Sequence, residues 1–306
     1  MNSYLSITPE ISSALSQGLP VVALESTIVA HGMPYPQNFA MAQEVETLIR
    51  AAGAIPATIA IIAGRLKIGL STTELRWFAE AGQAIAKVSV RDMPYVVARK
   101  IAGATTVAST SRIAAMAGIH VFATGGIGGV HRGAERSFDV SADMTEFTQS
   151  KVAVVTAGAK AILDLALTLE TLETLGVPVV GYRTDDFPAF YSRNSGHAVP
   201  MRCDTAGEVA KLMHAKWNMG LQGGIVVANP IPVEFEIPAA EIAPVIEMAV
   251  AEVTRQNISG KSVTPFLLAR LAEVTGGRSL NANVALVKHN AEVAAGIAVA
   301  FANNKE

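Results

Sequence analysis

The sequence predicts an α/β fold: a three-layer α/β/α sandwich around a largely parallel or mixed sheet, in one domain with a helical C-terminal region. Three observations predict it. Short Val- and Ile-rich runs recur, stretches of helical periodicity lie between them, and after Pro238 the pattern is almost entirely helical to Ala302. The apolar runs are Val21–Leu24, Ala57–Ile62, Val121–Ala123, Val152–Thr156, Val177–Val180 and Gly224–Ala228. They are continuous rather than alternating, as strands covered on both faces are.

The helical stretches carry their own start and stop signals. Met41, Val45, Leu48, Ile49 and Ala52 trace one face of a helix that Gly53 ends. Ile162, Leu163, Leu165, Ala166, Leu169, Leu172 and Leu175 do the same, with Gly176 and Pro178 as the stop. Ser71 with Glu74 and Thr205 with Glu208 match the capping box, and Thr264 precedes Pro265 as a capper precedes a first-turn proline. No linker, low-complexity segment or repeat divides the 306 residues, so residues 1–306 read as a single α/β catalytic domain.

Composition excludes several classes of function. A net charge of −2 gives no electrostatic reason for binding nucleic acid, and 6% aromatic residues give no platform for stacking bases. The single Cys203 excludes an internal disulfide framework and a cysteine-based zinc site. The N-terminus lacks the basic segment and apolar core of a signal peptide. The longest uninterrupted apolar stretch, around Ala57 to Ala63, falls well short of the roughly 18 residues of a membrane helix. The expectation is a cytoplasmic protein with a small-molecule substrate, no nucleic-acid polymer and no membrane partner.

One segment concentrates chemistry. Thr124 to Glu135 follows a strand-like run and holds five glycines with His131, Arg132 and Glu135. A glycine cluster at a strand's carboxyl end can turn backbone N–H groups onto an anion, or it can simply allow close packing. Asp139, Ser141 and Asp143 follow at i, i+2 and i+4, one face of an extended segment, a row that suits a hard cation or sugar hydroxyls. Ser141 or Asp143 could instead cap a helix, since Asp143 with Glu146 matches a capping box. Lys160 ends the next strand-to-helix junction, where a first-turn position and partial burial would lower its pKa and free a nucleophilic amine. Glu25 interrupts the first apolar run, and a carboxyl there must be paired or protonated, as a general acid requires. Lys87 and Arg91 offer cations near a strand end for a phosphate, and Gly103 to Thr110 is a weak anion-site signal before a helix. The irregular zone from Thr184 to Asp204 is long enough for an active-site loop or lid.

In combination these residues resemble a family. Ala23 to Thr27 with His31 to Pro34, Pro56 to Ala60, Gly103 to Thr110, Thr124 to Glu135, Phe138 to Asp143, Ala157 to Lys160 and Val227 to Pro230 stand in the order found in pseudouridine-5′-phosphate glycosidases. The resemblance spans about residues 8 to 300, with one small departure at Val90, where the family commonly has a second basic residue. It implies reversible cleavage of the carbon–carbon glycosidic bond of pseudouridine 5′-phosphate to uracil and ribose 5-phosphate, with a divalent metal such as Mn2+, in a homotrimer. It assigns Lys160 as the nucleophile that forms an imine, Glu25 as the proton donor and Asp139 as the metal-linked carboxylate. Lys87, Val107, Ser141, Ala142 and Asp143 become substrate contacts, His131 joins Lys87 on the phosphate, and Asn283 lies near the uracil. The apolar surplus of Val284 to Ala302 suggests either a helix central to its own domain or one of which part seals a subunit interface, as in the family's trimers. A class I aldolase-type Schiff-base lyase acting on a sugar phosphate is the enzymatic alternative. A nucleotide-sensing module is the non-catalytic one.

Overall fold

Every residue of Val21–Glu25 is buried, and so is every residue of Val121–Ala123, Ala153–Thr156, Val179–Tyr182 and Ile225–Ala228. A computed structural model of the chain describes residues 2–256, 258, 260 and 263–304, without the side chains of Thr254 and Thr264. Its strands are β1 (Leu5–Ile7), β2 (Val21–Glu25), β3 (Ile55–Ile62), β4 (Arg65–Ile68), β5 (Ala86–Val88), β6 (Gly103–Thr105) and β7 (Val121–Ala123). They continue as β8 (Val130–His131), β9 (Ala153–Thr156), β10 (Leu163–Asp164), β11 (Val179–Tyr182), β12 (Met201–Cys203) and β13 (Ile225–Ala228). The main sheet runs β1-β4-β3-β2-β7-β9-β13-β11-β12, with β6 beside β3 and β5 beside β6. From β3 to β12 along that path every neighbour is parallel, and β4 and β6 meet β3 antiparallel. The sheet is thus mixed at one side and parallel through its centre, as the unbroken apolar runs require.

The α-helices are α1 (Pro9–Ser16), α2 (Thr27–His31), α3 (Gln37–Ala51), α4 (Thr72–Ala81), α5 (Met93–Ala98), α6 (Val107–Ala117) and α7 (Ala134–Ser137). After them come α8 (Ala142–Glu146), α9 (Leu165–Thr174), α10 (Ala206–Asn218), α11 (Ala239–Arg255), α12 (Val263–Val274) and α13 (Arg278–Asn303). α13 lies along β2, β7 and β9 and packs against α3, α10 and α12; α6 packs on β2, β3 and β6 with α8. Strands buried on both faces need both layers, and these two groups supply them. One hydrophobic core draws residues from Leu5 to Ala298.

The local signals hold where the chain is exposed enough for them to decide. Ser71 and Thr205 make full capping boxes with Glu74 and Glu208. α3 stops at Ala51, with Gly53 at a φ of +87° that favours glycine. Pro265 falls in the first turn of α12, and the capping role expected of the Thr264 side chain lies outside the described residues.

α13 divides its apolar surface. By length and composition it could cross a membrane, yet its most apolar window is 56% buried within this chain. Leu286, Ala291, Ala294 and Ala295 are fully buried. More than half of that window therefore covers the chain's own sheet, and the remainder is what a subunit interface would have to cover.

Candidate active site

The carboxyl ends of parallel strands are where open α/β sheets bind ligands, and the chemistry-bearing residues gather there. β2 ends on Glu25 and β7 is followed by Thr124, which the pairing of Leu24 with Ala123 sets side by side. The Thr124 hydroxyl donates to Glu25 Oε1 at 2.5 Å. Burial pushes the Glu25 carboxyl above its ordinary value; Lys160 opposes this most, followed by the Thr124 hydrogen bond, while Asp143 adds to the rise. The expectation of a buried acid with a raised pKa is met in direction and cause.

Lys160 does not start a helix. It lies in a turn after β9, with its N–H donating to Ile127 O at 3.0 Å and its carbonyl accepting from Leu163 N at 2.9 Å. The chain then pairs Leu163 and Asp164 with His131 and Val130, and α9 begins only at Leu165, where the Asp164 carboxylate accepts from Leu167 N. The leucine periodicity ran through this strand pair and hid it. The helix-dipole argument for Lys160 is therefore withdrawn, and what acts on its amine is its neighbours.

Those neighbours form a chamber. A cavity of about 50 Å³ is lined by Glu25, His31, Lys87, Lys160, Phe190 and Asn283, among others. It shares His31, Gly32, Pro265, Leu268 and Asn283 with an outer cavity of about 600 Å³ that adds Asn38 and Tyr191. The outer space is the size of a small-ligand site, and the inner one is its reactive end. Asn283 Oδ1 is buried without a hydrogen-bond partner. An orphaned acceptor on the wall of both cavities is ready for a ligand's N–H or O–H. The His131 imidazole is held below its usual pKa by burial first, then by Lys160 and Lys87, with Asp139 opposing. The positive field of Lys87 and Lys160 thus reaches His131, which lies outside the lining of both cavities and is held toward its neutral form, and the two lysines suit an anion.

The acidic row is broken up by the fold. Asp139 is exposed, 3.8 Å from His131 Nδ1. Ser141 caps α8 through Asp143 N at 3.2 Å, so the capping role belongs to Ser141 and not to Asp143. Asp143 is buried and accepts Ala108 N at 2.9 Å and Gly128 N at 2.7 Å. It ties the start of α6 to the Gly-rich loop and takes the amides that were expected to cradle an anion. The chain turns into α8 at Ser141, so the extended geometry that would align all three side chains ends there. Ala142 is exposed at the first position of α8, and Val107 is buried at the first position of α6, outside the chamber's lining.

The glycines serve packing. A Cβ at Gly126 would stand 2.6 Å from the Phe190 ring, one at Gly128 would meet Ser141 and Asp143, and one at Gly129 would meet Thr168. Phe190 comes from the irregular zone after Thr184, which forms a wall of the chamber. His31 was visible only as part of the family motif, and Phe190 and Tyr191 only as part of the irregular zone, because their individual roles depend on where distant loops return. Among the described residues no group of three or more His, Cys, Asp and Glu could hold a metal. A lone exposed Asp139 fits an ion that keeps most of its water and leans on substrate oxygens, as Mg2+-like ions do.

A buried acid and an amine sharing one chamber at the carboxyl edge of a parallel sheet, with a second lysine on its wall, define an α/β enzyme for a small anionic substrate. A family model described as Indigoidine synthase A like protein matches residues 10–300. The chain is 61% identical over 298 residues to a pseudouridine-5′-phosphate glycosidase of Nocardioides sp., covering 97% of each. It is 58% identical over 300 residues to pseudouridine-5′-phosphate glycosidase 2 of Photorhabdus laumondii, covering 98% of this chain and 96% of that one. The chain belongs to the pseudouridine-5′-phosphate glycosidase family. Two solved structures share its fold at 39% identity. The prealnumycin C-glycosynthase AlnA in complex with ribulose 5-phosphate has a TM-score of 0.91 over 99% of this chain and 98% of that one. An indigoidine synthase A-like protein of Thermotoga maritima has a TM-score of 0.90 over 99% of each.

Proposed function

We propose that this chain cleaves pseudouridine 5′-phosphate reversibly to uracil and ribose 5-phosphate through a lysine imine. The observation that carries the reading is the shared chamber of Glu25 and Lys160, with Lys87 on its wall. The bond to be broken joins carbon to carbon, and the paired carboxylates of ordinary glycosidases, which expel an oxygen, do not suffice. The Lys160 amine becomes bonded to C1′ as the C1′–O4′ bond breaks, and one proton of the new ammonium passes to O4′, leaving a hydroxyl and a secondary amine with its lone pair. Glu25 protonates uracil C5. The nitrogen lone pair then forms C1′=N while the C1′–C5 bond breaks, and that bond's electrons restore the C5=C6 bond. Water adds to the imine, releases the sugar phosphate and returns the amine, and its proton replaces the one Glu25 gave. A carboxyl kept protonated by burial suits the donor.

Lys87 and His131 hold the phosphate, and Asn283 Oδ1 accepts from the base. Ser141 and Asp143 shape the Gly-rich loop, and Val107 offers main chain alone. Asp139 would hold a divalent ion, Mn2+ by the family resemblance, which when bound neutralises charge on substrate oxygens. Assembly as a homotrimer and a cytoplasmic location complete the proposal. Sedimentation at micromolar concentration should give about three times 31.9 kDa, and a monomer would remove the trimer.

Incubation with pseudouridine 5′-phosphate should release uracil and ribose 5-phosphate in equal amounts. Borohydride with ribose 5-phosphate should add the reduced sugar to a peptide containing Lys160. No uracil from the folded protein would overturn the reading.

A further inference from the structure

Two asparagines on α13 stand seven residues apart, two helical turns, and so face the same way. Asn283 leaves its oxygen without a partner. Asn290, fully buried, uses its whole amide. Asn290 Nδ2 donates to Thr124 O at 2.8 Å and lies 3.4 Å from Gly125 O. Its Oδ1 accepts from Asn229 Nδ2 at 2.9 Å. Asn229, itself 2% exposed, directs the other proton of that nitrogen to His289 Nδ1 at 3.1 Å, and its main-chain N–H donates to Thr156 O at 2.8 Å. The carboxyl ends of β7, β9 and β13 are thereby laced to one helix through buried amides. Such a network is rigid when fully satisfied.

Thr124 is the point where this lacing meets the chemistry. Its N–H is fixed on Val155 O at 3.0 Å and its carbonyl on Asn290, so its backbone is held from both sides. Its side chain then has one use, the hydrogen bond to Glu25. We propose that Asn290 is a positioning residue of the proposed cleavage: by fixing the Thr124 carbonyl it aims the Thr124 hydroxyl at Glu25, and so sets both the direction and the ease of proton donation. Asn290 touches no chamber residue other than the main chain of Gly125 in this role, and it acts through Thr124. The groups facing Glu25 are the side chains of Lys160 and Lys87, the carboxylate of Asp143 and the neighbouring His31.

The inference rests on Glu25 as proton donor and is tested on the whole chain. Three variants are compared with wild type: Asn290→Leu, which keeps the shape and removes both donors, Thr124→Val, and the double variant. The Thr124 hydroxyl favours the ionised form of Glu25, so without it the acid form persists to higher pH. Each single variant should lower kcat about tenfold or more while KM for pseudouridine 5′-phosphate stays within about twofold. Each should also move the alkaline limb of the kcat–pH profile upward. The double variant should match the single ones, since both remove one contact. If Asn290→Leu does not fold, Asn290→Ser is read by the same outcomes; its hydroxyl is too short for Thr124 O and leaves room for water. An active, folded Asn290 variant with an unmoved limb, or losses that multiply in the double variant, would overturn the inference. Absence of uracil release from wild type would instead remove the reading it rests on.

Discussion

Glu25 and Lys160 are held in a different manner from Asp139 and His131, although the proposed reaction uses all four. Glu25 ends a wholly buried strand and is fixed by a hydroxyl from the next one; Lys160 sits in a turn whose N–H and C=O are both bonded. Asp139 follows Phe138, a residue at φ +55° that is 85% exposed, in a segment of short elements. The groups proposed to break a bond stand at or just after strand ends, where position is over-determined. Those proposed to meet the metal and the phosphate stand in a segment that water still reaches. Precision of about half an ångström matters for the first task and less for the second.

The comparison breaks if the exposed segment proves as costly to change as the strand ends. Lys160→Ala should abolish uracil release, by at least about 10⁴-fold, with the fold intact because its anchoring bonds are main-chain. Loss of borohydride trapping on the same protein checks it by mass spectrometry. Glu25→Gln should slow release by roughly 10²–10⁴-fold while imine trapping with ribose 5-phosphate persists. The same variant reports on stability. The folded Glu25 carboxyl titrates above the ordinary 4.5, so its contribution is intact below that value and is lost as pH rises through the folded pKa. Glu25→Gln should therefore melt higher than wild type at neutral pH, and the difference should vanish near pH 4.

Smaller effects sharpen the contrast. Lys87→Ala should raise KM for the nucleotide about ten- to a hundredfold, the cost of one charge-assisted hydrogen bond, and hardly change use of the unphosphorylated nucleoside. Asp143→Ala should lose about 1.5–3 kcal/mol of stability or more, because two buried amides lose their acceptor. Asp139→Ala should change stability by no more than about 0.5 kcal/mol, as exposed positions do, while activity with Mn2+ falls. Chemical denaturation of the two aspartate variants side by side reads the difference directly.

The central strands and most of the site's charged residues were legible in the sequence; the contacts between them were not. Continuous runs announced β2, β3, β7, β9, β11 and β13, because a strand buried on both faces has no choice but to be apolar. The short strands β4, β5 and β12 mix exposed and buried positions and left no such trace. Glu25 stood out because a carboxyl in an apolar run is costly. Asp143 was read as facing a ligand, because spacing cannot reveal that the chain turns at Ser141 and sends the side chain inward to two amides. Asn290 gave no signal at all within a helix of Ala, Val and Leu, since its partners lie about 60 and 166 residues away.

The contact of Phe190 with Gly126 has a consequence for how the family can diversify. The ring occupies the volume a Cβ at Gly126 would need and also walls the chamber beside Lys160. A methyl at Gly126 and the ring cannot both keep their places, so a side chain there requires the ring to move or to shrink. Evolution, or a protein engineer, can therefore enlarge the chamber through Phe190 in one step, whereas a side chain at Gly126 calls for a change at Phe190 as well.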